Sequence, residues 1–478
     1  MSDVQRVAKN TFALFIAQFV TSILSIILSI SIARNLGDVV FGRYSFALAF
    51  TTFFAIFSSL GYDILLIREV ARDKSQASRY VSNILNIRAL LSLVIFVLIV
   101  VVINLLDYPA YTKNVVYIFG IYTLIESLSG VFRGTFRAFE KMEYDASITV
   151  LGNIIRVSLG LLVLFLGYGL IELALIFLFS GVFDLAFSSL VCEIKFVKTK
   201  IGIDWDFWKN SIKLAIPLGM LSIFDMIYIK ADTIMLSMMK GDAVVGWYNA
   251  AYNLVLGLKP IPYLFMGALL PLMSHYYVSS KNSLKITYEK SFKYLLILGV
   301  PITVGITLLA DRIILLFYGQ QFYPSIIALQ ILAGDVLLIF LYSSLGALLI
   351  AVDRQNQMAI IAAFTALLNV ILNLILIPPL SYVGAGIATI TAETVLFGLY
   401  VYVISKNFYA LPFHKIVIKP IVATLVMGFF IYFCGFINLF LLIILAIFLY
   451  FAILYFIKGI SREDVNYFRQ IFMRTKNV

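Results

Sequence analysis

The chain has 478 residues, of which 62% are hydrophobic and 13% charged, and its 36 lysines and arginines against 25 acids give a formal net charge of +11. Water-soluble globules carry about 25% charged residues, so that class is excluded and the solvent is a bilayer. The basic residues sit in short loops between apolar runs, where they act as a topology signal rather than a nucleic-acid footprint.

Runs long enough to cross about 30 Å of hydrocarbon as helix start with residues 11–33, longer than a signal-peptide core and followed by no small-residue cleavage site, so this span is expected to be retained. Further spans are predicted at 42–66, 80–104, 114–136, 147–167 and 170–192. A second set follows at 210–238, 246–270, 291–310, 324–350, 357–377 and 383–405, then a pair at 416–436 and 438–457. The predicted fold is all-α and polytopic, with about fourteen transmembrane helices. The expected domains are a six-helix lobe at 1–192, a cytoplasmic amphipathic linker at 193–209 carrying Trp205 and Trp208, a second six-helix lobe at 210–405, and two extra helices with a basic cytoplasmic tail at 406–478.

A charge at the bilayer centre costs roughly 2.5–3.5 kcal/mol on insertion scales, so each in-span polar residue is a functional candidate. Asp63 lies in the second span and Arg88 in the cytoplasmic third of the third, where snorkelling to the interface competes with a cavity role. In the fourth, Glu126, Gly130, Arg133 and Arg137 form a stripe; in the fifth, Gly152, Arg156 and Gly160 are spaced by four, with Asn153 beside them, so the glycines are expected to leave room for a bulky ligand. The sixth span contributes Asp184. In the seventh, Asp225, Tyr228 and Asp232 share a face at about 100° per residue, while Lys230 points away and needs a partner on another helix. Lys259 lies in the eighth span among Pro260, Pro262 and Pro271, which supply bends; Asp335, Asn369 and Glu393 lie in the tenth, eleventh and twelfth. Arg88, Arg156, Lys230 and Lys259 are assigned to a phosphate-bearing ligand, since guanidinium pairs bidentately with phosphate and ammonium acts as a point charge. Asp225, Tyr228, Asp232, Glu126, Asn153, Asn369 and Glu393 are assigned to a coupling ion, Na+ or H+, or to sugar hydroxyls. Pairing of these acids and bases as packing glue between helices is the competing reading. No cofactor is expected. Cys192 and Cys434 sit in or at the ends of apolar runs and define no disulfide framework, and His275 and His414 lie in unrelated loops, so no metal site is expected.

Arg34, Arg43, Lys113, Lys240 and Arg312 fall on one side of this map; Arg88, Arg156, Lys230 and Lys259 fall inside spans; every other lysine and arginine falls on the side of the N-terminus. The positive-inside rule therefore places both termini in the cytoplasm. The pattern GDxVxGxY occurs twice, as Gly37, Asp38, Val40, Gly42, Tyr44 and as Gly241, Asp242, Val244, Gly246, Tyr248, six spans apart. An even offset keeps both halves in one orientation, which predicts two parallel repeats about an axis along the membrane normal.

Four segments, ARNLGDVVFGRYSFALAF (33–50), LGYDILLIREVAR (60–72), RGTFRAFEKMEYDA (133–146) and KADTIMLSMMKGDAVVGWYNAAYNL (230–254), carry a resemblance over the whole chain. The chain resembles the polysaccharide-export branch of the multidrug/oligosaccharidyl-lipid/polysaccharide flippase superfamily, the Wzx-like O-antigen and repeat-unit flippases. That resemblance implies a V-shaped two-lobed bundle in the plasma membrane. It also implies a cationic central cavity and ion-coupled movement of a polyprenyl-diphosphate-linked oligosaccharide from the cytoplasmic to the outer leaflet. Membrane lipid and other glycan-assembly membrane proteins are the implied partners. Peptidoglycan-precursor flippases share fourteen spans and remain an alternative; multidrug antiporters usually have twelve. A membrane glycosyltransferase or polymerase needs a loop or domain housing acid, base and metal, and the outward loops here are short, so no enzyme is expected.

Overall fold

With no water in the hydrocarbon layer, backbone N–H and C=O groups must pair within the chain, and long apolar runs satisfy this as helices. The computed structural model describes residues 3–200 and 202–459, and within them there is helix and no strand. In chain order the helices are α1 (Asp3–Ser59), α2 (Tyr62–Arg72), α3 (Ala77–Leu105), α4 (Ala110–Ala138), α5 (Met142–Phe165), α6 (Leu170–Lys195), α7 (Trp205–Lys240), α8 (Asp242–Leu256), α9 (Pro260–Ser279), α10 (Lys281–Leu308), α11 (Ala310–Phe317), α12 (Ser325–Ala351), α13 (Gln355–Asn407), α14 (Phe413–Phe433) and α15 (Leu439–Phe456). Among the described residues eleven helices are long and apolar enough to cross a membrane. The number is twelve if α7, bent by 48° between Trp205–Met220 and Ser222–Lys240, counts as one span. α1 is interrupted at Gly37 and α13 at Ser381, so each carries two apolar arms. The protein is a multi-pass membrane protein with between eleven and fourteen long apolar helices.

Two compact units are present. Asn10–Ala250 with Ala366–Tyr382 form one, which includes α7; among the described residues, 3–9, Ala251–Thr365 and 383–459 form the other. The first unit is knit by α2, α3 and α4 around Leu65, Leu66, Ile84, Val131 and Phe136, joined by Phe207 and Ala215 of α7. In the second, the last two helices pack on α10: Met427, Ile431, Leu442, Ala446 and Tyr450 meet Tyr294 and Ile297, and the Tyr450 hydroxyl donates to the Ile297 carbonyl at 2.7 Å. Outward stripes such as Leu93, Val97 and Val101 of α3 stay exposed, the arrangement expected where lipid rather than water covers the helix.

Between α6 and α7 the described residues, 196–200 and 202–204, are not helical. They run across one face of α3, where Ser78 Oγ donates to the Lys198 carbonyl (2.9 Å), Ser82 Oγ accepts from Lys200 N (2.9 Å) and Asn86 Nδ2 donates to the Gly202 carbonyl (2.8 Å). Asn83 Oδ1 accepts from both Asp204 N and Trp208 Nε1, each at 3.2 Å. Residues 78, 82, 83 and 86 lie on one helical stripe, so a polar row on α3 satisfies the backbone of the connecting segment. The basic tail read from the sequence lies, beyond Gly459, outside the described residues.

The two copies of GDxVxGxY make reciprocal contacts within the first unit. Gly37 (φ 79°, ψ 176°) and Gly241 (φ 89°, ψ 178°) adopt the same backbone, a region that favours glycine. Gly42 lies against the Asp242 carbonyl and Gly246 against the Asp38 carbonyl, with no space for a β-carbon at either. Asp242 Oδ2 accepts from Arg43 Nε at 2.8 Å, and Asp38 Oδ2 accepts from Trp247 Nε1 at 2.9 Å. Each aspartate is held by the residue that follows the other copy's central glycine.

Candidate functional site

The sequence scatters charges over several apolar helices, and the fold brings most of those in the first unit into pairs. Arg88 of α3 is 1% exposed; its Nη2 lies 2.7 Å from Asp63 Oδ1 of α2, and its Nη1 donates to the Ser127 carbonyl of α4 at 2.7 Å. Gly130 abuts this guanidinium, so the missing side chain there is what lets Arg88 lie against α4. Arg88 therefore does not snorkel.

Arg156 of α5 is held on every side. Its Nε donates to Ser180 Oγ of α6 at 2.9 Å, its Nη2 lies 3.4 Å from Glu126 Oε1 of α4 and 3.9 Å from Asp184 Oδ2 of α6, and the guanidinium lies 5.0 Å from the Tyr122 ring centroid and 5.2 Å from that of Phe177. The second oxygen of Glu126 accepts from Arg133 Nη2 at 3.1 Å. One carboxylate is shared by two arginines, while Asp184 meets only the longer contact. The space at Gly152 is filled by the Asp184 carboxylate, and that at Gly160 by Leu28 and Leu173, rather than by room for a ligand. Asn153 turns its amide back to the Thr149 carbonyl at 2.8 Å, and Arg137 pairs with Asp145 at 2.6 Å. Tyr44, from the first copy of the repeated motif, packs edge-on against Phe119 and Phe177 beside this cluster.

Lys230 of α7 differs from its neighbours. Among the described residues it has neither an ion pair nor a hydrogen bond, so the partner expected on another helix is not found there. Two residues on, Asp232 is 1% exposed and accepts from the Tyr248 hydroxyl and from Asn373 Nδ2, both at 2.6 Å; Asn373 Nδ2 also donates to Asn369 Oδ1 at 3.0 Å. Asp225 of the expected stripe is exposed and Tyr228 partly buried. Tyr248 belongs to the second copy of the repeated motif, so each copy delivers its tyrosine to a polar cluster.

In the second unit the Lys259 ammonium lies 5.7 Å from the Tyr263 ring centroid, and Tyr263 is hydrogen-bonded with Tyr342. Asp335 and Glu393 are both buried and lie within electrostatic reach of Tyr342. Tyr122, Tyr248 and Asn373 complete these clusters and were not singled out from sequence, and Asp184, a candidate without an assigned role, joins them. A signal existed for Asn373, one helical turn after Asn369 in an otherwise apolar run.

A family model described as "Polysaccharide biosynthesis protein" matches residues 7–277. The chain is 24% identical over 411 residues to the capsular polysaccharide biosynthesis protein CapF of Staphylococcus aureus, covering 84% of this chain and 100% of that one. Its fold is similar to the lipid II flippase MurJ in an inward closed conformation, with a TM-score of 0.77 and 19% identity over 92% of this chain and 97% of that one. It is also similar to a multidrug resistance MATE family transporter of the MOP superfamily in an inward-facing conformation, with a TM-score of 0.65 and 18% identity over 81% of this chain and 95% of that one.

Proposed function

The chain belongs to the polysaccharide biosynthesis protein family, and from that membership we propose that it is a flippase moving a polyprenyl-diphosphate-linked saccharide between leaflets by alternating access. Its fold is similar to those of the lipid II flippase MurJ and of a MATE family transporter of the MOP superfamily, which supports a transporter rather than an enzyme. The finer architecture belongs to this reading: fourteen spans, two parallel repeats at 1–192 and 210–405 joined by the 193–209 segment, and an added helix pair with tail at 406–478. Both termini are cytoplasmic and the membrane is the plasma membrane.

The observation that carries the reading is the contrast among the four in-span cations. Arg88 and Arg156 are matched by acids and Lys259 stands over a tyrosine ring, whereas Lys230 has no such partner among the described residues. An ammonium inside a helical bundle costs several kcal/mol unless an anion meets it. A diphosphate supplies that anion, with Lys230 as its point-charge partner and Arg156 and Arg88 lining the route in the same unit, while Lys259 is a phosphate-binding candidate of the second unit. Asp232, held by Tyr248 and Asn373 next to Asn369, is the seat of ion coupling, and Glu126 extends the polar path in the same unit; Glu393 is the ion-coupling candidate of the second unit, and Asp225, Tyr228 and Asn153 contact sugar hydroxyls.

Two cargoes fit this chemistry. The family description and the CapF likeness favour a glycan repeat unit on the carrier, as in Wzx-like flippases. The fold likeness favours a peptidoglycan-precursor cargo, since the TM-score and coverage are higher for the lipid II flippase than for the multidrug transporter. Deleting the gene and identifying which lipid-linked saccharide accumulates on the cytoplasmic leaflet tests both. Accumulated glycan repeat units establish the first and accumulated peptidoglycan precursor the second; accumulation of neither, with lost resistance to cationic drugs, overturns the flippase reading.

A further inference from the structure

Within the first unit, the shared arginine contacts leave one carboxyl poorly served. Both Arg133 and Arg156 direct their Nη2 atoms at Glu126, at 3.1 and 3.4 Å, while Asp184 sits 3.9 Å from Arg156 and makes no closer ion pair. The Asp184 side chain is 3% exposed, and its Oδ1 is buried with no hydrogen-bond donor. That oxygen lies against the backbone of α5 at Gly152, where no donor side chain exists. Across from it, Asp184 faces the Glu126 carboxyl. Two carboxylates sharing a site repel, and a buried oxygen without a donor costs about 1–3 kcal/mol, more when charged. A single proton between them removes both costs.

We infer that Glu126 and Asp184 bind one shared proton, carried on Asp184 and hydrogen-bonded to Glu126, so that α4 and α6 form a proton site separate from the Asp232 cluster on α7. The surrounding groups set its occupancy. From α4 they are Arg133 and Tyr122, from α5 Arg156, from α6 Ser180 and from α1 Tyr44. Asp63 of α2 and Arg88 of α3 pair with each other, and Asp145 of α5 pairs with Arg137. Arg156 is the control point: it stands within reach of both acids, so drawing its guanidinium toward Asp184 expels the proton, and drawing it away favours uptake. The existence of the proton is independent of the cargo; its movement during transport rests on the flippase reading.

Infrared difference spectroscopy on the purified full-length protein, stepped in pH in H2O and D2O, tests the inference without any transport assay. The wild type is expected to show one protonated-carboxyl C=O band near neutral pH that shifts in D2O. Asp184→Asn should remove it, and Glu126→Gln should also remove it, because Arg156 is then released to pair with Asp184. Asp184→Glu should keep a band at a shifted position, which guards against a misfolded Asp184→Asn protein. A band that persists in both Glu126→Gln and Asp184→Asn, no band in the wild type, or a band that follows Na+ concentration rather than pH overturns the assignment. Any of these leaves the leaflet-accumulation test of the flippase reading intact.

Discussion

Arg156 of α5 and Lys230 of α7 are in-span cations of the same unit, and they are treated in opposite ways. Arg156 is gripped by two acids, a serine hydroxyl and two aromatic rings from α4 and α6. Lys230 has neither an ion pair nor a hydrogen bond among the described residues. A charge with its partners built in contributes to holding the helices in register, whereas one without them is kept only if something outside the chain meets it. The same residue class inside a bundle can thus be scaffold or site, and the distinction lies in its partners rather than in its position along the helix.

The sharpest way to break this comparison is to remove the gripped cation. Arg156→Met leaves Glu126 with one arginine and Asp184 with none. Removing one member of a buried pair costs about 3–5 kcal/mol, and because these side chains are 13–21% exposed the lower end, about 3 kcal/mol, is expected. Thermal unfolding in detergent should show the loss, and Arg156→Met with Asp184→Asn should recover part of it. A melting temperature equal to wild type would make Arg156 no more structural than Lys230. Transport should fall in the single variant, partly through lost folded protein.

Lys230→Met should do the reverse. A charge-assisted hydrogen bond contributes about 1.5–3 kcal/mol, so transport per folded molecule should drop about tenfold or more, while melting is unchanged or slightly raised. Export of the lipid-linked saccharide, normalised to protein in the membrane, is the measurement. Undiminished export with Lys230→Met, or a marked loss of stability, would erase the contrast.

What could be read in advance follows from the range of the physics. Helical periodicity and hydropathy are local, so the in-span charges, the doubled GDxVxGxY and runs such as 114–136, 170–192 and 324–350 were legible close to the observed helix limits, whereas 42–66 straddles the break after Ser59 and 246–270 is divided between α8 and α9. Pairings such as Arg88 with Asp63, or Glu126 between Arg133 and Arg156, join residues on different helices, and no single-helix pattern encodes which face meets which. Gly152 shows the ambiguity directly: a small residue beside an arginine signals space, but the sequence does not say whether a ligand or a neighbouring carboxylate fills it. The 193–209 segment was legible as an amphipathic stretch with Trp205 and Trp208, but not that α7 starts at Trp205, nor that Ser78, Ser82, Asn83 and Asn86 on α3 supply hydrogen bonds to the connecting residues before it.

The reciprocal glycine contacts allow a smaller test of the same idea. Arg43 and Asp242 are 26% and 17% exposed, so their pair is expected to contribute about 0.5–1 kcal/mol. Arg43→Asp alone should put like charges together and favour separation of the two motif copies. Arg43→Asp with Asp242→Arg should restore the contact. Thermal unfolding in detergent should show the single variant less stable than wild type and the double one restored; equal melting in all three would mean that the glycine backbone contacts alone hold the copies together.

The smallest expected effect lies at the start of α7, where charge and cap coincide in water rather than in lipid. Asp204 accepts from Phe207 N at 3.0 Å and from Arg79 at 2.7 and 2.9 Å. The Phe207 N–H, followed by the Arg79 guanidinium, holds the Asp204 carboxyl below the usual carboxylate range. A folded-state value below the unfolded one, about 3.9, means that the stabilisation is fully present above that value and fades as pH falls through the folded one. Corrected hydrogen-exchange protection of residues 202–208 should therefore be flat from pH 7 to about 5 and decline only below about 4. There it should converge on that of Asp204→Ala, while Arg79→Ala should sit between the two because it removes the ion pair and leaves the cap. Protection that already falls between pH 7 and 5 would require a different titrating group to hold this junction.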